Sequence, residues 1–509
     1  MCGICGFTGE VLDKENVLKN MTDVIIHRGP NSEGFFSNEE ISMGFRRLSI
    51  IDLNEGSQPI YNEDKTLILT FNGEIYNYKE LKQELIAAGH VFYTDTDSEV
   101  LIHGFEEWQE SLLDKLRGMF AFAIFNTVNN SLFLARDFFG IKPLHYTFVD
   151  NNFVYGSEIK SILQFPKVQK SFNKKALDNY LSFQYAVPPE TFFEGIYCLL
   201  PGHYMWVKNG NFEITRYFDA TFTPNENLLL DDVVEKIETV FEDSVKKHKV
   251  SDVEVGCFLS SGVDSSYVST YFSGQKAFTV GFGNDEKYNE IGFAKKLAEK
   301  IGLNHYSKVI STEEFWDSIS HVQYIMDQPL ADPSCIALYF VSKLAREHVT
   351  VVLSGEGADE LFGGYNIYHE PISLYKYQKI PHFLRRALAN IVEAKLKMKR
   401  KITAFILAAL MLAGTFISCG ESENNTPETS AEAQTPETEA GSTDAEETEE
   451  TAAPTAAEIR AQTPDDLPEL DFEGLTATIG ARAKNWFEGE MYAEELNGEA
   501  HSSFLPSSS

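Results

Sequence analysis

The stretch that decides the fold of the first half is Met1-Cys2-Gly3-Ile4-Cys5-Gly6, at the start of the chain. Removal of Met1 would leave a thiol and a free α-amino group on the same residue, Cys2. The α-amino group titrates near ~8, so at neutral pH it is uncharged often enough to accept the proton of the thiol. The stretch therefore predicts an N-terminal nucleophile that needs no second side chain as its base. Cysteine is most often a buried small hydrophobe, however, and Cys2 alone would favour that structural role.

The composition is that of a folded protein with a distinct acidic end. A length of 509 residues predicts two or three domains. The net charge is -33, and residues 420–509 alone contain 22 Asp and Glu against 3 Lys and Arg. The rest of the chain is only mildly acidic, which argues against nucleic-acid binding because that function needs a basic face.

The cysteines point to a reducing compartment. Six cysteines in so long a chain predict free thiols rather than a disulfide framework. We expect no secretory leader before Cys2, and hence a cytoplasmic protein. Cys2-x-x-Cys5 also fits half of a zinc or redox site, but the sequence contains no second pair of this kind.

A first polar cluster surrounds Arg47. Residues 48–53 alternate enough to predict a strand with Arg47 at its edge, where the guanidinium can bind a carboxylate through two hydrogen bonds. Such binding would suit an amino-acid ligand. The alternative is a surface arginine in an ordinary ion pair.

A second polar cluster, Asn72-Gly73-Glu74, follows the β-rich run 67–71. At the end of a strand, the amide of Asn72 and the backbone N–H of Gly73 can point at one spot, as a developing oxyanion requires. The alternative is a simple Asn-Gly turn. A helix should then begin after Asn77, bury Leu81, Leu85 and Ile86, and end at Gly89.

Further along, Thr94–Glu99 precede a helical pattern that runs from Val100 to Trp108, so Asp97 or Ser98 could simply cap that helix. The apolar runs 120–125 and 132–135 predict buried strands joined by a turn at Asn129-Asn130. The first half is therefore predicted to consist mainly of strands.

Taken in order, these motifs resemble the N-terminal-nucleophile glutaminase domain of the glutamine-hydrolysing asparagine synthetases. The motifs are Cys2-Gly3-Ile4-Cys5-Gly6, His27-Arg28-Gly29-Pro30, Arg47-Leu48-Ser49-Ile50, Asn72-Gly73-Glu74, Asp97 and Arg136-Asp137. The resemblance implies an α+β sandwich over residues 2–210 in which Cys2 attacks the carboxamide of glutamine. It further implies that Asn72 and Gly73 hold the oxyanion, that Arg47 binds the α-carboxylate, and that Glu74 and Asp97 bind the α-amino group. Asn31 stands where the family often has Asp, and we expect this change to matter little.

Residues 211–397 alternate short apolar strands with amphipathic helices. Strands are predicted at 253–259, 277–282, 305–310 and 350–353, and helices at 231–245 and 291–301. This alternation predicts an α/β domain with a parallel sheet and helices on both faces. Ligands of such domains lie at the carboxyl ends of the strands.

Two polar loops fall at predicted carboxyl ends. The first, Ser260–Ser266, offers hydroxyls and backbone N–H groups at a helix start, which suits pyrophosphate. It lacks the lysine and the spacing of a Walker A motif. The second loop, Ser354–Glu360, follows the last predicted strand. Asp264 and Asp359 can together hold a magnesium ion against a pyrophosphate.

The pair of loops resembles the ATP-pyrophosphatase domain of the same family, whose first loop usually reads Ser-Gly-Gly-x-Asp-Ser, whereas this chain has Ser261 in the first glycine's place. The resemblance implies ATP and Mg2+ as cofactors, with Glu356 as a catalytic residue and Asp264 and Asp359 as metal ligands. The implied ATP-binding residues are Leu259, Ser260, Ser261, Gly262, Asp264, Ser265, Val280, Gly281, Ser354 and Gly355. Ser354, Gly355 and Glu356 would face the activated aspartate. Asp327, Pro329 and Asp332 lie where the family lines its site, but could equally form a proline-rich turn.

The resemblance stops near residue 397. The family's later motif of the type Arg-Val-Pro-Phe-Leu-Asp, and the lysine after it, are not found in this sequence. Instead, a basic stretch, the sixteen mostly apolar residues 402–417 and Ser418-Cys419 follow the pattern of a bacterial lipoprotein signal over 398–419. The alternative is a buried core helix. Residues 420–468 predict a disordered acidic linker, and 469–509 resemble the opening of an exported solute-binding protein.

We interpret 398–509 as part of an unrelated gene joined in one reading frame, or, if the fusion is genuine, as a membrane tether through 402–417. The residues before it predict glutamine-dependent asparagine synthesis from glutamine, aspartate and ATP, by a homodimer if the chain folds. Three alternatives stay open: a chain that retains only the glutaminase step, a related amidotransferase on another carboxylate, and an inactive or membrane-tethered fragment.

Overall fold

The computed structural model describes residues 2–386 except 54, 209, 224, 226, 284–288, 366–367, 369–374 and 376–378. The described residues up to 368 belong to one compact unit, and residues 375 and 379–386 belong to a second. The strands are β1 (Gly3–Thr8), β2 (Ser32–Ser37), β3 (Ile41–Arg47), β4 (Ile60–Tyr61), β5 (Leu67–Ile75), β6 (Gly118–Asn126), β7 (Ser131–Arg136), β8 (His145–Val149), β9 (Asn152–Gly156), β10 (Tyr197–Cys198), β11 (His203–Lys208), β12 (Asn211–Arg216), β13 (Val255–Phe258), β14 (Lys276–Phe282), β15 (Asn304–Ile310) and β16 (Val351–Leu353). The α-helices are α1 (Lys14–Asp23), α2 (Tyr78–Ala88), α3 (Glu99–Trp108), α4 (Ile159–Ile162), α5 (Lys174–Phe183), α6 (Leu230–His248), α7 (Val263–Ser269), α8 (Ile291–Ile301), α9 (Thr312–Ile325), α10 (Ser334–Arg346) and α11 (Ala358–Phe362).

The first half is built on two antiparallel sheets of six strands each. The first sheet has the order β10-β8-β9-β1-β3-β2, and the second has the order β12-β11-β7-β6-β5-β4. Apolar side chains from both sheets share one core, including Ile4 and Phe45 of the first sheet and Ile68 and Phe125 of the second. Because side chains alternate along a strand, the remaining apolar residues of each sheet face away from this core.

Helices cover these outer faces. On the first sheet, Leu18 of α1 and Ile162 of α4 pack with Phe7 of β1. On the second sheet, Leu81 of α2 and several residues of α3 pack with Phe133 of β7. The result is a four-layered α+β sandwich, which confirms the predicted fold class of the first half.

The second half contains a parallel sheet with the order β15-β14-β13-β16. On one face, Cys257 packs with residues of α6, α7 and α8, among them Val268 and Ala294. On the other face, Phe278 packs with Val341 and Ala345 of α10. All four predicted strands are present, and the predicted α/β arrangement is confirmed.

One predicted strand is absent. Residues 48–53 form an irregular segment, because β3 ends at Arg47. The guanidinium of Arg47 donates hydrogen bonds to the carbonyl oxygens of Ile51 at 3.3 Å and Asp52 at 2.5 Å. These bonds fold the segment back onto the arginine, and Asp52 takes a positive φ of 52°.

Two further local predictions are wrong. Asn72 and Gly73 lie inside β5, paired with Ala121 and Phe120 of β6, rather than after the strand or in a turn. Ile86 is 51% exposed, because α2 buries only the face that carries Tyr78, Leu81 and Leu85.

The predicted segments 398–419, 420–468 and 469–509 all lie outside the described residues. Among the helices that the structure describes, none is long and apolar enough to cross a membrane.

Candidate active sites

Cys2 lies immediately before β1, at the edge of the core between the two antiparallel sheets. Its Sγ accepts a hydrogen bond from the backbone N–H of Leu48 at 3.4 Å. Burial raises the pKa of the Cys2 thiol, and the positive chain terminus and the Leu48 N–H oppose that effect only in part. A thiol in this position needs a base to become a nucleophile.

Asn72 lies on β5 of the opposite sheet, fully buried. Neither Nδ2 nor Oδ1 of its amide has a hydrogen-bond partner among the residues that the structure describes. A buried amide without a partner costs about 1–3 kcal/mol, so its retention calls for an explanation such as a ligand. The next residue must be glycine, because a Cβ on Gly73 would lie 2.2 Å from the carbonyl oxygen of Met119.

Two carboxylates and one guanidinium lie beside this amide. Asp97 is buried and accepts a hydrogen bond from the backbone N–H of Ile75 at 2.8 Å, which places it next to Glu74. Burial raises the pKa of Asp97 to about 7. Burial and the nearby Asp97 carboxylate both raise the pKa of Glu74. The positive charge of Arg47 opposes the effect of burial and lowers the pKa of Asp97. The structure thus brings together Cys2, Arg47, Asn72, Gly73, Glu74 and Asp97.

Neither Asp97 nor Ser98 caps α3 through a side-chain hydrogen bond, which was the alternative prediction for these residues. Ser98 occupies the N-cap position without a side-chain hydrogen bond to the helix. The Asp97 carboxylate binds β5 instead, through the N–H of Ile75. The start of α3 is therefore fixed to the strand that carries Asn72.

Two cations beside Cys2 were missed by the sequence reasoning. Arg28 donates from Nε to the carbonyl oxygen of Cys2 at 2.9 Å and pairs with Glu158 at 2.9 Å. Lys142 is almost fully buried, and burial lowers its pKa to about 8 although the Glu74 carboxylate opposes this. Arg28 belongs to the motif His27-Arg28-Gly29-Pro30, to which the sequence alone assigns no function. No sequence pattern around Lys142 indicates a role in the site.

The motif Arg136-Asp137 has a structural role in the loop that carries Lys142. The Arg136 guanidinium donates to the carbonyl oxygens of Gly140 at 2.6 Å, Lys142 at 2.7 Å and Leu199 at 2.6 Å. Asp137 accepts from the backbone N–H groups of Phe139, Ile141 and Lys142. The two side chains fix the backbone of the loop, so neither is free to bind a ligand with these groups.

Asn31 also has a defined partner. Its Oδ1 accepts a hydrogen bond from the backbone N–H of Ser49 at 3.0 Å. An aspartate could accept the same bond, so the departure from the family leaves this contact in place.

Cys5 does not support the zinc or redox reading of Cys2-x-x-Cys5. Its side chain is fully buried in the core beneath α1, and burial raises its pKa to about 12. All five cysteines of the described residues are free thiols, as the sequence predicts.

In the second half, the two polar loops meet at the carboxyl edge of the parallel sheet. β13 and β16 are neighbours, and the loops Ser260–Ser266 and Ser354–Glu360 follow them directly. A Cβ on Gly355 would lie 2.7 Å from the backbone N of Ser265, so only glycine permits this approach. The first loop is held by a hydrogen bond of 2.7 Å between the hydroxyls of Ser260 and Ser265.

The acidic residues of the two loops face one another. Burial raises the pKa of Asp264, and the carboxylates of Asp359 and Glu360 raise it further. A divalent cation would relieve this repulsion, and oxygen donors are what Mg2+ prefers. The residues present therefore fit the implied metal.

The other implied ATP residues are spread around this edge. Leu259 is buried, and its N–H donates to the carbonyl oxygen of Phe278 at 2.9 Å. Val280 and Gly281 lie on β14, beside β13. Glu356 is exposed, and its N–H donates to the hydroxyl of Ser354 at 3.4 Å.

Asp327 is engaged with the first half of the chain. Its carboxylate pairs with Lys160 at 2.7 Å and accepts from the backbone N–H of Ile159. Lys160 also pairs with Glu158, which binds Arg28 at Cys2. This buried network joins the loop after α9 to the glutaminase-like half.

Other contacts join the two halves along α6. The rings of Tyr76 and His248 lie 4.2 Å apart, next to Glu74. Lys247 pairs with Glu80 at 2.6 Å.

The fold defines the class of the chain as an N-terminal-nucleophile sandwich, with a cysteine in the nucleophile position, followed by a parallel α/β domain. Comparison with known families agrees with this division. The glutamine amidotransferase domain family matches residues 1–218, and the asparagine synthase family matches residues 236–461. The second match runs past residue 398, the predicted start of the lipoprotein-like segment.

The chain belongs to the glutamine-hydrolysing asparagine synthetase family. It is 43% identical to asparagine synthetase 1 of Bacillus subtilis over 401 residues, covering 76% of this chain and 63% of that protein. It is 32% identical to asparagine synthetase 3 of the same organism, covering 79% of this chain and 70% of that protein. A putative asparagine synthetase of Methanocaldococcus jannaschii is 33% identical, with 79% and 82% covered. The chain thus spans less than two thirds of the first of these relatives.

Proposed function

We propose that this chain hydrolyses glutamine at Cys2 and supplies the ammonia to an aspartyl adenylate formed in its second half. The products would be asparagine, AMP, pyrophosphate and glutamate. The observation that carries the proposal is the buried Asn72 amide, which has no hydrogen-bond partner among the described residues and lies on β5 two residues before Glu74, whose carboxylate acts on the Cys2 thiol. The three relatives above are all named asparagine synthetases, so they lend no support to another acceptor carboxylate.

The glutaminase step follows from the residues around Cys2. After loss of Met1, the α-amino group takes the thiol proton and Sγ bonds to the carboxamide carbon of glutamine. The oxyanion that forms would accept hydrogen bonds from Asn72 Nδ2 and the Gly73 N–H. The carbon–nitrogen bond then breaks, ammonia leaves with the returned proton, and water hydrolyses the thioester to glutamate and free thiol. Arg28 would hold the Cys2 carbonyl in place throughout.

The charges beside Cys2 suit the rest of the glutamine molecule. Arg47 would bind the α-carboxylate, and Glu74 and Asp97 would bind the α-ammonium. A ligand ammonium would also relieve the crowding of the two carboxylates, whose pKa values are raised by burial and, for Glu74, by the neighbouring Asp97. Binding and ionisation of this pair would therefore favour each other.

In the second half, the loops Ser260–Ser266 and Ser354–Glu360 would bind ATP, with Val280 and Gly281 beside the adenine and Glu356 as a catalytic group. Asp264 and Asp359 would hold a magnesium ion, which when bound neutralises charge on the pyrophosphate. We propose a division into 2–210 and 211–397, in which β12 still pairs with β11 of the second sheet.

The first test is a coupled assay of the full chain. Glutamate and asparagine are measured in the same tubes, with aspartate, ATP and magnesium, and with glutamine or ammonium as the nitrogen source. We expect glutamate release from glutamine, and its complete loss in Cys2→Ala but not in the control Cys335→Ala. Glutamine turnover in Cys2→Ala would refute the nucleophile assignment.

The fate of 398–509 needs a separate test. We propose that this segment is foreign to the enzyme, even though the asparagine synthase family match extends over 398–461. We also propose that the protein acts in the cytoplasm, in keeping with the free thiols of the described residues. A single transcript across codons 390 to 405 in the source organism would show that the fusion is genuine, and absence of such a transcript would support an assembly error. Recovery of the full chain in the membrane fraction would then favour the tether through 402–417, and sedimentation would test the expected homodimer.

A further inference from the structure

A cluster of two histidines and two glutamates lies away from both candidate active sites. It consists of Glu63, His90, His103 and Glu106, and one donor atom from each lies within 4.8 Å of the others. Within the described residues, this is the one group of three or more such side chains placed closely enough to share an ion. None of the four takes part in the proposed function.

The donors come from three separate segments of the first half. Glu63 lies in the turn between β4 and β5, and His90 follows Gly89 at the end of α2. His103 and Glu106 lie on α3 three residues apart, which places them on one face of the helix. The cluster therefore joins a hairpin and two helices.

Three of the donor separations are close to those around a small tetrahedral ion, and all four donors lie within 4.8 Å of one another. Nδ1 of His90 lies 3.3 Å from Glu63 Oε1 and 3.9 Å from Glu106 Oε2, and Nδ1 of His103 lies 3.3 Å from Glu63 Oε2. A zinc ion about 2.0–2.1 Å from each of four donors separates those donors by roughly 3.3–3.4 Å. Only small side-chain shifts would complete the site.

An independent observation is that Nδ1 of His103 has no hydrogen-bond partner among the described residues, although the side chain is fully buried. The other ring nitrogen, Nε2, faces Glu99 at 3.3 Å. Glu99 accepts from the backbone N–H groups of Tyr93 and Thr94, so it acts as an acceptor and Nε2 carries the proton. Nδ1 then lies 3.3 Å from Oε2 of Glu63 without a hydrogen bond between them. A contact between two acceptors is unfavourable, and a cation bound between them would relieve it, as a second proton on the ring also would.

His90 is oriented similarly, although its Nδ1, unlike that of His103, is hydrogen-bonded to Glu63 Oε1 at 3.3 Å. Its Nδ1 faces the cluster, and its Nε2 lies 3.5 Å from Glu107 Oε2. In metal sites, a ligating histidine almost always turns its second ring nitrogen toward a carboxylate or carbonyl, which fixes the ring and its tautomer. Both histidines of this cluster meet that condition.

We propose that Glu63, His90, His103 and Glu106 form a structural zinc site. Imidazole donors favour zinc over magnesium or calcium, which prefer oxygen donors alone. Four protein donors leave no open position for a substrate, so the site would clamp the hairpin and helices rather than catalyse a reaction. α3 begins two residues after Asp97, so the clamp would also steady the helix that follows the proposed glutamine site.

The test is zinc binding by the full chain, measured by competition with a chromophoric chelator. An N-terminal cysteine is itself a good zinc ligand, so all proteins carry Cys2→Ala, which removes that competing site. We expect one tight site per chain, weakened at least ~100-fold by His90→Gln or Glu106→Gln. Glu40→Gln, at an exposed glutamate outside the cluster, is the matched control and should bind as the parent does.

Cobalt(II) gives a second readout that reports geometry. A four-coordinate site of nitrogen and oxygen donors should give the visible absorption of tetrahedral cobalt, lost in His90→Gln. His90 and Glu106 lie at the surface side of the cluster, so these variants should fold, and circular dichroism checks this. The inference is wrong if zinc affinity is unchanged in both variants, or if the parent binds no zinc below about 10 µM. Zinc binding does not depend on glutaminase activity, so this result is separate from the proposed function.

Discussion

Replacing the Asn72 amide should separate activity from stability. Asn72→Leu keeps the branching and the number of heavy atoms of the side chain but removes the amide. The amide is fully buried, and neither of its polar atoms has a hydrogen-bond partner within the described residues. Its burial costs about 1–3 kcal/mol, which the leucine would recover, less some strain from its larger methyl groups. We expect a net gain in stability of about 1 kcal/mol.

The same change should nearly abolish glutamine hydrolysis. Loss of one oxyanion donor typically lowers kcat by about 10²–10³, equal to ~2.7–4 kcal/mol of transition-state stabilisation. The same donor binds the neutral carbonyl of bound glutamine less strongly than it binds the oxyanion, so KM should change much less than kcat.

The assay combines steady-state glutamate release with thermal unfolding of the same preparations. Alkylation of Cys2 by iodoacetamide is the control, because it needs the thiol but no oxyanion donor, and its rate should stay within about twofold. A loss of both stability and activity would mean that the Asn72 amide stabilises the fold. Full glutaminase activity in Asn72→Leu would mean that the amide takes no part in catalysis.

Three further predictions follow from the charges and close contacts. Burial raises the pKa of Asp97 to about 7, so the folded protein keeps a proton on Asp97 that the unfolded chain has already lost. The free energy of unfolding should therefore fall as the pH rises through 7. Conversely, kcat/KM for glutamine should rise with pH up to about 7 as the carboxylate becomes available, and Asp97→Asn should flatten both profiles. Lys160→Met should destabilise the protein by about 3–5 kcal/mol in urea unfolding, because Asp327 would be left as a buried charge, and an additional Asp327→Leu should restore part of the loss. Gly355→Ala should abolish ATP-dependent activity but spare glutamate release, because its Cβ would press on the Ser265 backbone, whereas Gly292→Ala, which has open space around it, should change neither.

The sequence predicted both fold classes correctly and supplied most residues of the candidate sites. Apolar alternation in 120–135 predicted buried antiparallel strands, and the short apolar strands between helices predicted the parallel sheet, because both periodicities are local properties of the chain. Cys2, the Asn72 cluster and the two loops were visible because each groups its chemistry within a few neighbouring residues.

Features that depend on residues far apart in the chain became visible only in the folded structure. Lys142 shows no local pattern, and its position beside Glu74 depends on the loop that Arg136 and Asp137 fix. Asp327 looked like part of a ligand site but pairs with Lys160, more than 160 residues away. The cluster of His90 and His103 is likewise spread over three segments that only packing of α2, α3 and the β4–β5 hairpin brings within 4.8 Å. Spacing along a chain reports contacts within one turn or one strand, whereas ion pairs and metal ligands depend on distance in space.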